Sequence, residues 1–152
     1  MNRYLPAMAL LAALAAPPAA PGDEPDIEFL NSGKVVPSSL PFSEAVRVDD
    51  TLYLSGQIGI RPGTLTLVPG GVEAESRQTL ENIRMVLEAN GYATRDVVKC
   101  TVMLADIAEW AAFNEVYKTF FAPPYPARSA LGANGLALGA RVEVECIAAR
   151  DD

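Results

Sequence analysis

A strict alternation of charged and apolar side chains near the C-terminus constrains the fold of this chain more than any other feature. The charged positions are Arg141, Glu143 and Glu145, and the apolar positions that alternate with them are Val142, Val144, Cys146 and Ala148. Because successive side chains of a strand point to opposite faces, this stretch predicts a β-strand with one face in the core and one face carrying charge.

The Pro-Ala-Arg-Ser stretch at residues 126–129 contains the strongest candidate for a binding residue. Arg128 follows the Pro123-Pro124 break, where a new strand should begin. A guanidinium is always charged and pairs with a carboxylate through two parallel hydrogen bonds, so a fixed arginine can clamp a small anion. Glu145 on the final strand would be the second half of such a site. Taken singly, either residue could be an ordinary surface charge, and only the pair points to a site.

The first twenty residues have the layout of a secretory signal peptide. Arg3 is followed by an apolar run over residues 5–16 and then by small residues and prolines. The run is too short to span a bilayer comfortably, so no membrane association is expected after signal removal. Cleavage after Ala15 fits the small-x-small pattern, whereas cleavage after Ala20 leaves a cleaner mature start. We expect an exported protein, periplasmic or secreted; the alternative is a cytoplasmic protein with an alanine-rich leader.

Charge and the lack of histidine exclude several functions. Residues 1–20 contain one basic residue and no acid, so their removal lowers the net charge by one from the −7 of the full chain. An acidic surface repels phosphate backbones, and no nucleic-acid partner is expected. The chain contains no histidine, which excludes Ser-His and Cys-His nucleophilic catalysis and histidine-ligated zinc. The chemistry must use carboxylates, arginine, hydroxyls, backbone groups and water.

The two cysteines, Cys100 and Cys146, lie in separate predicted strands. In an oxidising compartment they could form a disulfide, which requires close and correctly aimed β-carbons. The sequence alone does not show such a geometry. The interpretation that we favour is two separate, buried, apolar side chains.

Two apolar runs in the N-terminal half predict a β-hairpin. Residues 42–48 and 51–55 meet across the acidic pair Asp49-Asp50. A shorter apolar run at residues 27–30 precedes them. Gly56 follows the hairpin, and a glycine there allows another backbone or a ligand to approach closely.

Two helices are predicted from their apolar stripes. The first runs from Val72 to Asn90 and stops at Gly91, and its stripe contains Leu80, Ile83 and Leu87. The second opens at Asp106, which forms a reciprocal capping pattern with Glu109. Its stripe, interpreted as core, consists of Trp110, Phe113, Val116, Tyr117 and Phe120.

With a strand at 97–104 between the helices, the expected order is strand, strand, helix, strand, helix, strand, strand. This order favours an α+β domain with both helices on one face of a single sheet. The other face is half apolar, and we expect it to pair with another copy of the chain.

Five segments, in the right order, resemble the RidA/YjgF family of enamine/imine deaminases. They are residues 41–48, 54–59, 78–83, 126–129 and 142–148. The resemblance covers residues 26–150. It divides the chain into a signal peptide over 1–20, an N-terminal extension with the first strand over 21–40, and a RidA-like domain over 41–152. It implies a chorismate-mutase-like α+β fold, one mixed sheet with two helices on one face, assembled as a homotrimeric barrel with clefts between subunits.

The resemblance also implies an activity. The family hydrolyses reactive 2-imino acids, such as 2-iminopropanoate and its enamine tautomer 2-aminoacrylate, to 2-oxo acids and ammonia without a cofactor or metal. This chain would be a 2-iminobutanoate/2-iminopropanoate deaminase-like hydrolase. Arg128 would hold the substrate carboxylate, and Glu145 would position or deprotonate the attacking water. The residues implied to line the cleft are Ser55, Gly56 and Asn114.

Two positions depart from the family's deaminase pattern. Phe42 stands where the family has a tyrosine, and Ala130 stands where it has a cysteine. Both are kept as substrate-binding candidates, although Phe42 lacks a hydroxyl and Ala130 enlarges the pocket. The alternative function is a trimeric protein that binds small carboxylates such as 2-oxo acids without turnover. RNA cleavage, a label that some members bear, is disfavoured by the acidic charge and the absence of histidine.

Overall fold

The computed structural model describes residues 24–150, so the predicted signal peptide and its cleavage site lie outside the described range. Seven strands and two α-helices follow one another as β1 (Ile27–Leu30), β2 (Ala45–Val48), β3 (Thr51–Leu54), β4 (Gln57–Ile58), α1 (Gly71–Ala89), β5 (Val97–Leu104), α2 (Trp110–Phe120), β6 (Ala127–Gly132) and β7 (Val142–Ala149). Among these residues, no helix is long and apolar enough to cross a membrane.

All seven strands join one mixed sheet, as predicted. The order is β1-β2-β3-β7-β5-β6, and the two-residue strand β4 pairs with the first half of β7. Only β5 and β6 run parallel; the other paired strands are antiparallel. The predicted element order was wrong before the first helix, where four strands stand instead of two. Residues 27–30 pair with β2, and β4 is too short to produce a recognisable alternation.

The hairpin of β2 and β3 forms where it was predicted. Val48 lies opposite Thr51 across the two-residue turn, and Asp49 adopts a left-handed backbone with φ 50°. An aspartate tolerates this conformation better than most side chains do. The strand begins only at Ala45, however, so Phe42 precedes the sheet and is half-exposed.

Both helices form on the predicted segments. In α1 the stripe residues Leu80, Ile83 and Leu87 are fully buried, and Gly91 supplies the left-handed stop with φ 81°. In α2 most of the stripe packs into the core, but Trp110 is 45% exposed. The interpretation of Trp110 as a core residue was wrong, because it occupies the first position of the helix, and the buried part of the stripe begins one turn later at Phe113.

The cap of the second helix is only half of the predicted reciprocal pattern. The Asp106 carboxylate accepts a hydrogen bond from the backbone N–H of Ala108 at 2.9 Å. The Glu109 carboxylate does not return to the cap and instead binds Arg141, with Nη2–Oε1 at 2.6 Å and Nε–Oε2 at 3.1 Å. A bidentate ion pair is stronger than one bond to a backbone amide. Arg141 lies just before β7 and connects this strand to the start of α2. It was expected to lie on the same strand face as Glu143 and Glu145.

The alternation of β7 is confirmed. One face of the strand is buried, whereas Glu143 and Glu145 lie on the opposite face; the buried residues are Val142, Val144, Cys146 and Ala148. Helix α1 packs against α2, β4 and β7, so both helices cover the same face. We call the other one the open face.

A disulfide joins Cys100 on β5 to Cys146 on β7. The two residues are directly opposite in the antiparallel register, with their Cα atoms 4.1 Å apart. Both side chains are buried, as predicted, but the interpretation as two separate thiols was wrong. Direct opposition across an antiparallel pair brings β-carbons within bonding reach, and sequence does not reveal which residues are opposed.

Loss of this disulfide is expected to lower the free energy of unfolding by about 4 kcal/mol, because the bridge closes a long loop in the unfolded chain. The two cysteines are 46 residues apart in sequence. Urea unfolding of the wild-type chain and of the Cys100→Ala/Cys146→Ala variant measures the difference. Reductant should lower the wild-type midpoint and leave that of the variant unchanged. Equal midpoints for the wild type and the variant in the absence of reductant would contradict the prediction.

Candidate active site

Arg128 lies on β6 with its side chain on the helix-covered face. In the parallel register it is opposite Cys100, which points into the core. Three aromatic rings of α2 surround the guanidinium, whose carbon lies 4.6 Å from the ring centroid of Tyr117, 5.8 Å from that of Trp110 and 5.9 Å from that of Phe113. Within residues 24–150 no carboxylate lies at ion-pair distance from Arg128. The rings hold the cation by cation–π attraction and leave its donors available for an anion.

A cavity of about 530 Å³ opens beside this guanidinium; we call it the arginine cavity. Its lining residues are Trp110, Ala111, Asn114, Glu115, Tyr117, Lys118, Tyr125, Pro126 and Arg128. Asn114, predicted to line the cleft, is therefore placed together with Arg128.

Two buried polar atoms belong to residues that line the arginine cavity. Asn114 Oδ1 and the Tyr117 hydroxyl have no hydrogen-bond partner among the described residues. Burial raises the pKa of Tyr117, and the positive charge of Arg128 partly offsets that rise. Unpaired buried polar groups are costly, so this wall of the cavity is suited to a ligand with polar atoms.

A second cavity, of about 320 Å³, also adjoins Arg128. It is lined by Ile107, Trp110, Arg128 and Ala130. Ala130 follows Arg128 by two residues on β6 and so shares its face. The structure thus places Ala130 beside the predicted anion clamp, in largely apolar surroundings.

Of the remaining predicted residues, Gly56 and Glu145 belong to a different cluster on the open face. Glu143 and Glu145 lie side by side on β7, and Gly56 packs against the first of them. A β-carbon at residue 56 would collide with Glu143 Oε1, so any larger residue there would displace the Glu143 side chain. Ser55, which immediately precedes Gly56, donates its hydroxyl hydrogen to the Ser43 carbonyl at 2.6 Å. We call Gly56, Glu143 and Glu145 the carboxylate patch.

Glu143 in the carboxylate patch should make the stability of the folded chain depend on pH. Burial raises the pKa of Glu143, and repulsion by Glu145 adds to the rise. A carboxyl whose pKa is higher in the folded chain binds protons more tightly there, so stability falls as pH rises through the interval between its unfolded and folded pKa values. Glu143→Gln should therefore raise the melting temperature at neutral pH. The advantage should vanish below the ordinary carboxyl pKa; a constant difference at all pH values would contradict this assignment.

Arg128 and Glu145 point to opposite faces of the sheet within one chain. Glu145 is opposite Thr101 on the open face, whereas Arg128 is opposite Cys100 on the helix face. Strand β5 separates them, which places their backbones about 10 Å apart, or two strand spacings. Neither cavity beside Arg128 is lined by Phe42, Ser55, Gly56 or Glu145. One subunit does not bring the two predicted catalytic residues onto one small molecule.

Three residues near these clusters were missed or assigned only to packing. Trp110 lines both cavities, and Tyr125 lines the larger one. Glu143 was recognised only as a charged neighbour of Glu145. The position of Tyr125 immediately before Pro126 was the available signal, because residues next to a predicted anion clamp can line its pocket. No three cysteine or acidic side chains within residues 24–150 are placed to ligate a metal ion.

Residues 34–150 match the family profile described as Endoribonuclease L-PSP. The chain belongs to this family, the RidA/YjgF proteins. A mouse member named 2-iminobutanoate/2-iminopropanoate deaminase is 48% identical over 108 residues, which cover 71% of this chain and 80% of the mouse protein. The human protein of the same name is 46% identical over 108 residues, covering 71% and 79% of the two chains.

Solved structures of the RidA/YjgF family share the fold. RidA from the Antarctic bacterium Psychrobacter sp. superimposes with a TM-score of 0.76 at 37% identity, covering 81% of this chain and 99% of its own. TdcF from E. coli, solved with bound serine, gives a TM-score of 0.75 at 31% identity, with coverage of 82% and 99%. The α+β prediction is thereby confirmed.

Proposed function

We propose that this chain is an imine deaminase that hydrolyses small 2-imino acids, such as 2-iminopropanoate and 2-iminobutanoate, to 2-oxo acids and ammonia. The observation that carries the proposal is Arg128, an arginine held by three aromatic rings, without a carboxylate partner among the described residues, at the mouth of a cavity. The names of the mouse and human relatives support the same reaction.

Arg128 binds the substrate's carboxylate through two parallel hydrogen bonds. This contact fixes the planar imino acid in one orientation, which reduces the entropy cost of bringing water to its C2 carbon. Asn114, whose buried Oδ1 lacks a partner among the described residues, lies in the same cavity and accepts a hydrogen bond from the substrate nitrogen.

Glu145 acts on the water. Its carboxylate accepts a proton as the water oxygen bonds to C2, and the electron pair of the C=N bond moves to nitrogen. The nitrogen takes up that proton, which gives the carbinolamine. It then takes up the hydroxyl proton as the C–N bond breaks and an electron pair of the oxygen forms the C=O bond, which releases ammonia and the 2-oxo acid. The enamine tautomer first takes up a proton at C3 and loses one from nitrogen to form the imine. The sequence consumes one water and requires no cofactor.

The two halves of this site come from different subunits of a homotrimer. Within one chain Arg128 and Glu145 face opposite sides of the sheet, so the carboxylate patch of one copy must meet the arginine cavity of another. The open face has the apolar surface that such an assembly needs. Phe29 and Tyr53, both in register with Val46, are 73% and 46% exposed. Sedimentation or light scattering measures the subunit number.

Mixed assemblies test the proposed shared site. Arg128→Ala and Glu145→Gln subunits should each be inactive alone, because each lacks one half of every site. Random mixing by refolding them together should restore about a quarter of the wild-type rate, since one site in four receives both intact halves. Ammonia release from an imine generated by an amino-acid oxidase is the readout. As control, Arg128→Ala mixed with the double variant should stay inactive.

The outcomes separate the candidate functions. Activity in wild type without restoration in the mixture would reject the shared site. If the wild type accelerates the hydrolysis of no imine but binds 2-oxo acids, the chain is a carboxylate-binding protein. Phe42, which lacks the hydroxyl of the family's tyrosine, would suit that role.

The proposed location is outside the cytoplasm, in the periplasm or the medium. The layout of residues 1–20 supports export, and so does the Cys100–Cys146 disulfide, since such bonds persist mainly in oxidising compartments. An exported deaminase needs a local source of imine, which an amino-acid oxidase or dehydrogenase would supply. Recovery of the full-length protein with its leader intact from the cytoplasm would reject this location.

A further inference from the structure

Glu44 is a buried carboxylate that the proposed mechanism does not use. It lies in the segment between Phe42 and β2, and only 1% of its surface is exposed. Its Oε2 accepts two hydrogen bonds from Ser32, one from the backbone N–H at 2.8 Å and one from the hydroxyl at 2.5 Å. The side chain thus ties the loop after β1 to the segment that carries Phe42.

The backbone of Glu44 is held from both sides. Its N–H donates to Asn31 Oδ1 at 3.0 Å, and its carbonyl accepts from the backbone N–H of Ser55 at 3.1 Å. The Ser55 hydroxyl donates to the neighbouring Ser43 carbonyl, while the Ser55 carbonyl accepts from buried Gln57 at 3.1 Å. This network fixes Ser55 and therefore Gly56, which packs against Glu143.

A contribution to stability alone does not explain this carboxylate. Its Oε1 is buried and has no hydrogen-bond partner among the described residues. A buried, half-satisfied carboxylate is costly, whereas a leucine would fill similar space without that cost. What the carboxylate provides and leucine does not is the pair of hydrogen bonds to Ser32. These bonds fix the side chain of Glu44 to the loop after β1 and so hold its backbone where the carbonyl accepts from Ser55.

We propose that Glu44 is a positioning residue that holds Ser55 in place and thereby Gly56 against Glu143, so that Glu145, which neighbours Glu143 on the same face of β7, meets the water and the substrate in productive geometry. The inference rests on the proposed function, because it assigns the network a role in imine hydrolysis. It does not involve the arginine cavity, so binding of the substrate carboxylate should be independent of Glu44.

Three variants separate positioning from a general structural role. Glu44→Leu removes the acceptor, and kcat should fall about 10- to 100-fold while KM changes less than about threefold, since small displacements at a reacting centre cost that much. Glu44→Gln keeps an oxygen acceptor for Ser32 and should stay within about threefold of wild type. Ser32→Ala removes the hydroxyl donor and should lower kcat about three- to tenfold. It replaces Glu44→Leu as the test if that variant does not fold.

Amide hydrogen exchange gives a readout that does not depend on activity. In Glu44→Leu, the amides of Ser32, Glu44 and Ser55 should exchange at least about tenfold faster, whereas those of Leu80, Ile83 and Leu87 in α1 should not change. Faster exchange throughout the chain, or an unchanged kcat, would overturn the proposal. If wild-type protein hydrolyses no imine, the proposed function fails, and the exchange pattern still decides whether Glu44 fixes Ser55.

Discussion

Replacing Arg128 with alanine is expected to lower kcat/KM for imine hydrolysis about 10²- to 10³-fold, or about 3–4 kcal/mol. The guanidinium is the charge in the arginine cavity best placed to bind the substrate carboxylate, because α2 holds it from three sides and no carboxylate within residues 24–150 pairs with it. KM should rise because the arginine binds the carboxylate of the substrate, and kcat should fall because the arginine also orients the imine carbon toward the water. Initial rates of 2-oxo acid release with in situ generated imine measure both constants.

Lysine and a distant arginine provide the controls for this prediction. Arg128→Lys should recover only part of the loss, because an ammonium offers a point charge in place of a planar fork of donors. Arg84→Ala should leave the rate unchanged, since Arg84 pairs with Glu81 and Glu88 on the exposed side of α1. A wild-type rate for Arg128→Ala would exclude the arginine cavity as the substrate site.

Replacing Glu145 with glutamine is expected to lower kcat about 10²- to 10³-fold while binding of 2-oxo acids is retained. Glutamine has nearly the same shape but cannot take a proton from water. Because Glu145 acts on the water and not on the substrate carboxylate, Glu145→Gln should lower kcat alone, whereas Arg128→Ala should also raise KM and weaken the binding of 2-oxo acids. Product-inhibition constants for a 2-oxo acid, compared with kcat, measure this separation.

Glu143→Gln is the matched control for Glu145→Gln, because the two residues are two positions apart on β7 and so lie on the same face of the sheet. Glu143 is expected to influence stability more than turnover, since its raised pKa reflects burial first and Glu145 second. If Glu143→Gln abolished turnover and Glu145→Gln did not, the roles of the two carboxylates would have to be exchanged.

Sequence determined the elements because their signals are local. The stripe of Leu80, Ile83 and Leu87, the glycine stop at Gly91 and the alternation of β7 each depend on residues close in the chain. The charge pattern indicated Arg128 and Glu145 as candidates, and the element order predicted correctly a single sheet with both helices on one face. The family resemblance added the roles of the two residues in imine hydrolysis and the mixed character of the sheet.

Tertiary structure alone decided which residues meet. The pairing of Cys100 with Cys146, and of Arg141 with Glu109, depends on strand register and on how a helix start approaches β7. The separation of Arg128 and Glu145 depends on a one-residue difference in register across β5, between Cys100 and Thr101. Because one step along a strand reverses the face to which a side chain points, local pattern cannot determine such pairings, and only the assembled sheet fixes them.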